Sequence, residues 1–357
     1  MDLPLRVAPE VRLSSTASGL RASLDAGPVA RTGLPADVRT TGDHVSMAQL
    51  EQRVRDAQAT EDVAALGAAE EILGSLHLDN HPLRRRPEPP DAAPLPAKDR
   101  AAFQRRAFRA ALPQVPLLKW AERARAKAAA ETEARSFGEA MDVAHAVVSQ
   151  RRAVAVEDQW RELSEHDPTT VIAELDAHFA VAECGCTCVD AGWDVETSRG
   201  YVTVVCRYPA LDIVGERGPG VSSSGRRMMR RRTRAERNAL YLTGLASFTL
   251  ATVRRSISVA VAADDVHVVV VRPTAEGDGL EPIYVGSLSR EAVTLRPSLA
   301  DPVPLLLGSA VCQMQFHGPA HDLVALDADP HVLEVVRACT EALADEQLDT
   351  LLRDPAG

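Results

Sequence analysis

The sequence predicts an α+β protein: a small N-terminal β unit, a helical hairpin, a long spacer helix, and a C-terminal domain ordered α-β-β-α-β-β-α. Three observations predict it. Short alternating apolar and polar stretches fill residues 3 to 42, apolar residues at helical spacing begin at Ser46, and helical and strand patterns alternate after Asp167. The expected boundaries are 1–45 for the β unit, 46–78 for the hairpin, 79–97 for a proline-rich linker, 98–166 for a helical spacer or stalk, and 167–357 for the α+β domain.

Val11-Arg12-Leu13-Ser14 and Leu20-Arg21-Ala22-Ser23-Leu24 alternate as strands do, and Gly19, Gly27-Pro28, Gly33 and Pro35 punctuate them. The run Leu5 to Ser14, followed by Ser18-Gly19-Leu20-Arg21-Ala22-Ser23-Leu24, resembles a short bacterial N-terminal domain of unknown function with the pattern Pro-Gly-Val-Arg…Ser-x-x-Gly. Glu10 stands where that family has glycine. In the hairpin, Met47, Leu50, Val54 and Ala57 form one stripe and Val63, Leu66, Ala69, Leu73 and Leu76 another, with Thr60-Glu61-Asp62 as the restart signal.

Residues 82 to 96 hold six prolines beside Arg84-Arg85-Arg86, a composition that favours extended polyproline backbone over a core. A short helix from Lys98 to Leu112 follows. From Pro116 to Asp167 the chain has no proline and only Gly138, which predicts a helix of roughly 70 Å at about 1.5 Å per residue. Phe137, Met141, Ala144 and Val148 have the spacing of a coiled-coil seam, with Trp160 and Leu163 at the far end. Two readings stand for this helix: a solvated spacer with one packed end, or a self-associating stalk.

Asp167-Pro168 caps a helix running Thr169 to Ala180, followed by strands Cys184 to Val195 and Tyr201 to Tyr208, then an arginine-rich loop and a helix from Ala235 to about Val261. Strands Val266 to Arg272 and Pro282 to Leu288 lead, through a poorly signalled stretch, to an acidic helix from Pro330 to Leu352. Asp158-Gln159-Trp160-Arg161, Asp167-Pro168 and the run Arg234 to Tyr241 resemble the C-terminal region that accompanies the same N-terminal unit in proteins of high-GC bacteria. The resemblance implies a long helix and an α+β C-terminal domain and brings no activity.

No apolar run approaches the roughly 18 to 20 residues that cross a bilayer, and the first thirty residues contain no apolar signal core, so no membrane segment and a cytoplasmic location are expected. The formal charge of −10 opposes wholesale attraction to nucleic acid, leaving only local contacts. Lysine occurs only at Lys98, Lys119 and Lys127. Its absence from 167–357 removes P-loop, protein-kinase, Schiff-base and Asp…(Asp/Glu)-x-Lys nuclease chemistry from the half that looks most like a catalytic domain, leaving a nuclease-like scaffold as a fold only.

Cys184, Cys186 and Cys188 alternate, which in a strand places them on one face as small hydrophobes, whereas structural zinc sites bend two Cys-x-x-Cys knuckles around the ion. Buried packing is expected over a metal or redox role. Cys312, His317 and His321 lack a fourth ligand and are broken by Pro319, which reads as a loop. Gly218-Pro219-Gly220 and Ser222-Ser223-Ser224-Gly225 lack the lysine of a phosphate loop and read as a flexible connector. No cofactor and no metal are expected.

The strongest local signal is seven arginines, Arg226, Arg227, Arg230, Arg231, Arg232, Arg234 and Arg237, against the single acid Glu236 within twelve residues. A solvated loop, pairing with acidic surface of this chain or a partner, and contact with phosphates are the competing readings. The acidic segment Asp327 to Asp354 is the expected internal counterpart. The expected function is a non-enzymatic interaction or scaffold protein with a protein partner or self-association. The alternative is a nucleic-acid-associated protein that uses the arginine loop.

Overall fold

The computed structural model describes residues 5, 7–8, 11–16, 19–24, 45–88, 95–111, 119–277, 279–294, 301–309, 311–327 and 329–353. Pro9, Glu10, Ser18 and the turn residues from Gly27 to Pro35, on which part of the N-terminal reading rests, lie outside them. The described residues of Met1–Val29, Pro35–Arg85 and Glu162–Gly357 gather into one compact unit, and those of Arg86–Arg161 into a second. The fold is α+β, with a long helix and a C-terminal region mixing both element types.

Two strands, β1 (Val11–Thr16) and β2 (Gly19–Leu24), pair antiparallel at the N-terminus. The hairpin follows as α1 (Met47–Ala59) and α2 (Val63–Ser75). Ser46 and Gln49 cap α1 reciprocally, and Asp62 caps α2 by accepting from the amides of Ala64 and Ala65. Met47, Leu50, Val54 and Ala57 are buried, as are Leu66, Ala69, Leu73 and Leu76, so both stripes face inward and only Val63 is half-exposed.

The second unit contains α3 (Ala97–Ala111) and most of α4 (Trp120–Ser164), a helix of 45 residues. Arg100 of α3 pairs with Asp142 of α4 at 2.8 Å. The buried stripe of α4 in this unit is Ala130, Ala134 and Gly138, small residues four apart, while Phe137 and Val148 of the expected seam are 43% and 47% exposed. Small side chains admit a close neighbour where larger ones would hold it away, so the helix buries the row with least bulk.

In the first unit, α5 (Pro168–Ala182) starts on Asp167, whose carboxylate accepts from the Thr170 amide, and ends on Glu183 in the left-handed region. Then come β3 (Cys186–Asp194), β4 (Arg199–Arg207), β5 (Arg217–Val221), β6 (Arg227–Arg231), α6 (Arg234–Val259), β7 (Asp265–Pro273) and β8 (Leu280–Ser289). The stretch that carried little signal holds α7 (Arg290–Thr294), α8 (Pro302–Leu307) and the short strands β9 (Val311–Gln313), β10 (Gln315–His317) and β11 (Asp322–Val324). The last element is α9 (Pro330–Arg353).

The central sheet has the order β3-β4-β7-β8-β9. Only β4 and β7 run parallel, so the chain must cross over between them, and α6 makes that crossing. One sheet face packs on α6: Cys186 meets Thr252 at 3.6 Å, with Val204 and Val268 on the same side of the pleat. The α1–α2 hairpin lies outside α6, where Gly244 has no room for a side chain, since a Cβ would stand 2.6 Å from both Leu73 Cγ and the Tyr208 hydroxyl. The other face carries Val189, Val205, Val269 and Val285, covered by Leu5, Val332, Val335, Val336 and Cys339. The Ala8 amide donates to the Val189 carbonyl at 2.8 Å, which ties the N-terminal segment to the bulge of β3. Both the N-terminal β unit and the helical hairpin therefore belong to the same compact unit as the central sheet.

Candidate functional site: an arginine ribbon

The arginine run is not a loop. Residues Arg227–Arg231 form β6, which pairs antiparallel with β5 through Arg217↔Arg231, Pro219↔Met229 and Val221↔Arg227. The glycine- and serine-rich connector is the rest of this hairpin: Ser222 to Arg226 turn the chain, with the Ser222 amide on the Arg226 carbonyl and Gly225 at φ +82°. A five-residue strand reading Arg-Met-Met-Arg-Arg has no apolar alternation to announce itself. What fixes it is one cross-strand pair, Pro219 and Met229, seated on α2, where Pro219 Cγ lies 3.6 Å from the position a Cβ would take on Gly67.

The opposite face of the ribbon carries Gly218, Gly220, Met228 and Arg230. The two glycines matter sterically, because a Cβ on Gly220 would meet the Arg230 stem and one on Gly218 the Arg232 guanidinium. The arginine side chains thus lie across the bare backbone of β5.

The seven arginines divide by what they touch. Arg232 reaches Glu70 of α2 in a pair whose side chains are 8% and 12% exposed, and also donates to the Gly215 carbonyl. Arg237 donates through Nε to the Val214 carbonyl at 3.0 Å and through a terminal nitrogen to Leu211 at 3.4 Å. Arg234 donates from Nε to Asp322 Oδ1 at 2.6 Å. Arg230 pairs in a fork with Glu236 at 2.6 and 3.0 Å. These contacts hold the Glu236 carboxyl at a pKa of about 2, with the Thr233 amide of the helix cap adding to the effect. Arg226, Arg227 and Arg231 are exposed, and among the described residues their side chains have no acid or hydrogen-bond partner. The side chains of 343–353, which carry much of the acidic segment expected as the counterpart of this run, lie outside the described residues. The acids that pair with it come from α2, α6 and β11.

The other candidates resolve by burial. Cys186 and Cys188 sit in β3 on the α6 side, Cys186 opposite Cys206, and Cys184 lies just before the strand; all are buried free thiols. Burial pushes all three of Cys184, Cys186 and Cys188 up, so they stay protonated at neutral pH. Cys312 lies in β9 of the central sheet, whereas His317 and His321 belong to the separate β10–β11 hairpin. His321 stacks edge-on against Phe316 at 6.2 Å between centroids.

Sequence reasoning found the arginines and missed their partners. Glu70 and Asp322 come from elements far away in the chain, and no local pattern marks them. Sequence reasoning also passed over a polar patch on the sheet: His267 is 6% exposed, with Nδ1 buried and unpartnered among the described residues, and its ring lies 5.4 Å from Tyr201. The Tyr201 hydroxyl donates to Asp190 at 3.1 Å. A single histidine inside a valine-rich strand gives no signal beyond its own presence. No protein-family model, no curated protein and no solved structure matches this chain.

Proposed function

We propose that this is a non-enzymatic binding protein whose β5–β6 ribbon contacts the phosphate backbone of nucleic acid. The observation that carries this reading is the set of three exposed guanidiniums, Arg226, Arg227 and Arg231, with no acid to neutralise them among the described residues. Arg231 stands directly opposite Arg217 on the ribbon; Arg217 pairs with Glu61, which leaves Arg231 as the guanidinium of that cross-strand pair open to an added anion. A two-stranded ribbon also has the width that a major groove admits, and guanidinium suits bidentate contact with phosphate. The chain's charge of −10 confines such binding to this surface.

The test is fluorescence anisotropy of a labelled DNA duplex with the full chain. With three phosphate contacts, affinity falls roughly 40-fold between about 50 and 200 mM salt. The triple variant Arg226→Gln, Arg227→Gln, Arg231→Gln abolishes that binding while keeping its melting temperature. Absence of binding at low salt, or equal binding by the variant, overturns the reading. Equal capture of poly-glutamate would move the assignment to an acidic protein surface.

A further inference from the structure

Two cavities open where the parallel strands β4 and β7 end. They share Ala210, shortly after β4, and Pro273, the last residue of β7. In sheets whose parallel strands are joined by a crossing helix, the crevice beyond the carboxyl ends is where ligands are received. The cavity beside α6 has a volume of about 420 Å³, within the range of small-molecule sites.

One wall of this cavity is the β10–β11 hairpin, fixed to α6 by polar contacts. Asn238 Nδ2 donates to the Ala320 carbonyl at 2.9 Å and to Asp322 Oδ1 at 2.7 Å, and Arg234 Nε donates to the same carboxylate oxygen. Another wall is the end of β7, where Arg272 Nε donates to Glu281 Oε1 at 2.6 Å. The lining therefore carries two guanidiniums and two carboxylates, with Leu211, Leu242 and Phe316 as apolar surface.

This charge pattern selects the ligand. A lone anion entering would face two carboxylates, and a lone cation two guanidiniums, so neither gains much from a lining whose charges already balance. A molecule with both poles meets an opposite charge at each end. Arg234 engages Asp322 through Nε, which leaves its paired terminal nitrogens as the fork that receives a carboxylate, whereas the Arg272 guanidinium, on Glu281 through Nε, also donates to the Tyr241 hydroxyl. We propose that this cavity binds a small zwitterion of the free α-amino acid class, its carboxylate on a guanidinium, its ammonium on Asp322 or Glu281, and its side chain against Phe316 and Leu242. The assignment is independent of the nucleic-acid reading and goes beyond it.

The experiment is the melting temperature of the full chain against a panel of free L-amino acids, each compared with its N-acetyl and its amide derivative. At about 100 times Kd, an apolar or aromatic amino acid raises the melting point by roughly 5 °C or more. The acetylated form, lacking the ammonium, and the amide, lacking the carboxylate, each lose the shift. Arg234→Gln leaves Asp322 bonded to Asn238 and so keeps the hairpin in place, yet it weakens the response at least tenfold in concentration. Phe316→Ala does the same from the apolar side. The proposal is overturned if no free amino acid shifts the melting point, if the derivatives shift it equally, or if neither variant weakens the response.

Discussion

Two arginines of the ribbon differ in what surrounds them, and that difference has a measurable size. Arg232 and Glu70 are both nearly buried, so removing the guanidinium strands a carboxylate. Arg232→Gln is expected to cost about 3 kcal/mol in chemical denaturation, and the double change Arg232→Met, Glu70→Met much less, because it removes both charges together. The Arg230–Glu236 pair is open to solvent, which screens it, so Arg230→Gln should leave the stability in chemical denaturation nearly unchanged. His267 offers a second reading at this scale. Burial pushes its pKa down to about 4, against about 6.5 in an unfolded chain, so the unfolded state binds more protons between those values. Stability is present above pH 6.5 and lost as pH falls towards 4, by about 3 kcal/mol from this group. His267→Gln should flatten that part of the stability profile relative to the parent; an unchanged slope would assign the acid sensitivity elsewhere. His166, also held down by burial, acts in the same direction and remains in both proteins.

At the scale of elements, close approach decides more than propensity. Alanine in place of Gly244 gains about 1 kcal/mol as a helix former, but its methyl would overlap Leu73 and the Tyr208 hydroxyl, an overpacking cost of about 1 to 3 kcal/mol. Gly244→Ala should therefore lower the melting temperature by a few degrees, and a rise would mean that α2 gives way easily. The same consideration explains what was legible. The stripes of α1 and α2, the caps at Asp62 and Asp167, and the valine runs of β4 and β7 each carry their structure locally, and the expected elements match those observed to within a few residues. The ribbon β5–β6 does not, because its strand character rests on Pro219 and Met229 meeting α2, a contact made across the fold. The seam of α4 was legible as a pattern, yet the structure buries Ala130, Ala134 and Gly138, since a neighbour's approach is favoured by absence of bulk rather than by hydrophobicity. The cavity beside α6 was invisible for the same reason as the partners of the arginines: its walls are assembled from β7, α6 and the β10–β11 hairpin, and its polar groups have no fixed spacing in the sequence.

At the scale of the molecule, one face of the central sheet is covered by segments far apart in the sequence. Leu5 and Val335 share one hydrophobic cluster on the sheet face opposite α6. Synthesis on a ribosome is vectorial, and at about 5 to 20 residues per second the strands emerge long before α9 exists. Until then Val189, Val205, Val269 and Val285 have only part of their cover, and the nascent chain displays an apolar face whose final partner has not yet been made. Closing so long a loop is slow even when its free-energy cost grows only logarithmically with length. This face of the sheet is complete only once α9 seats beside Leu5.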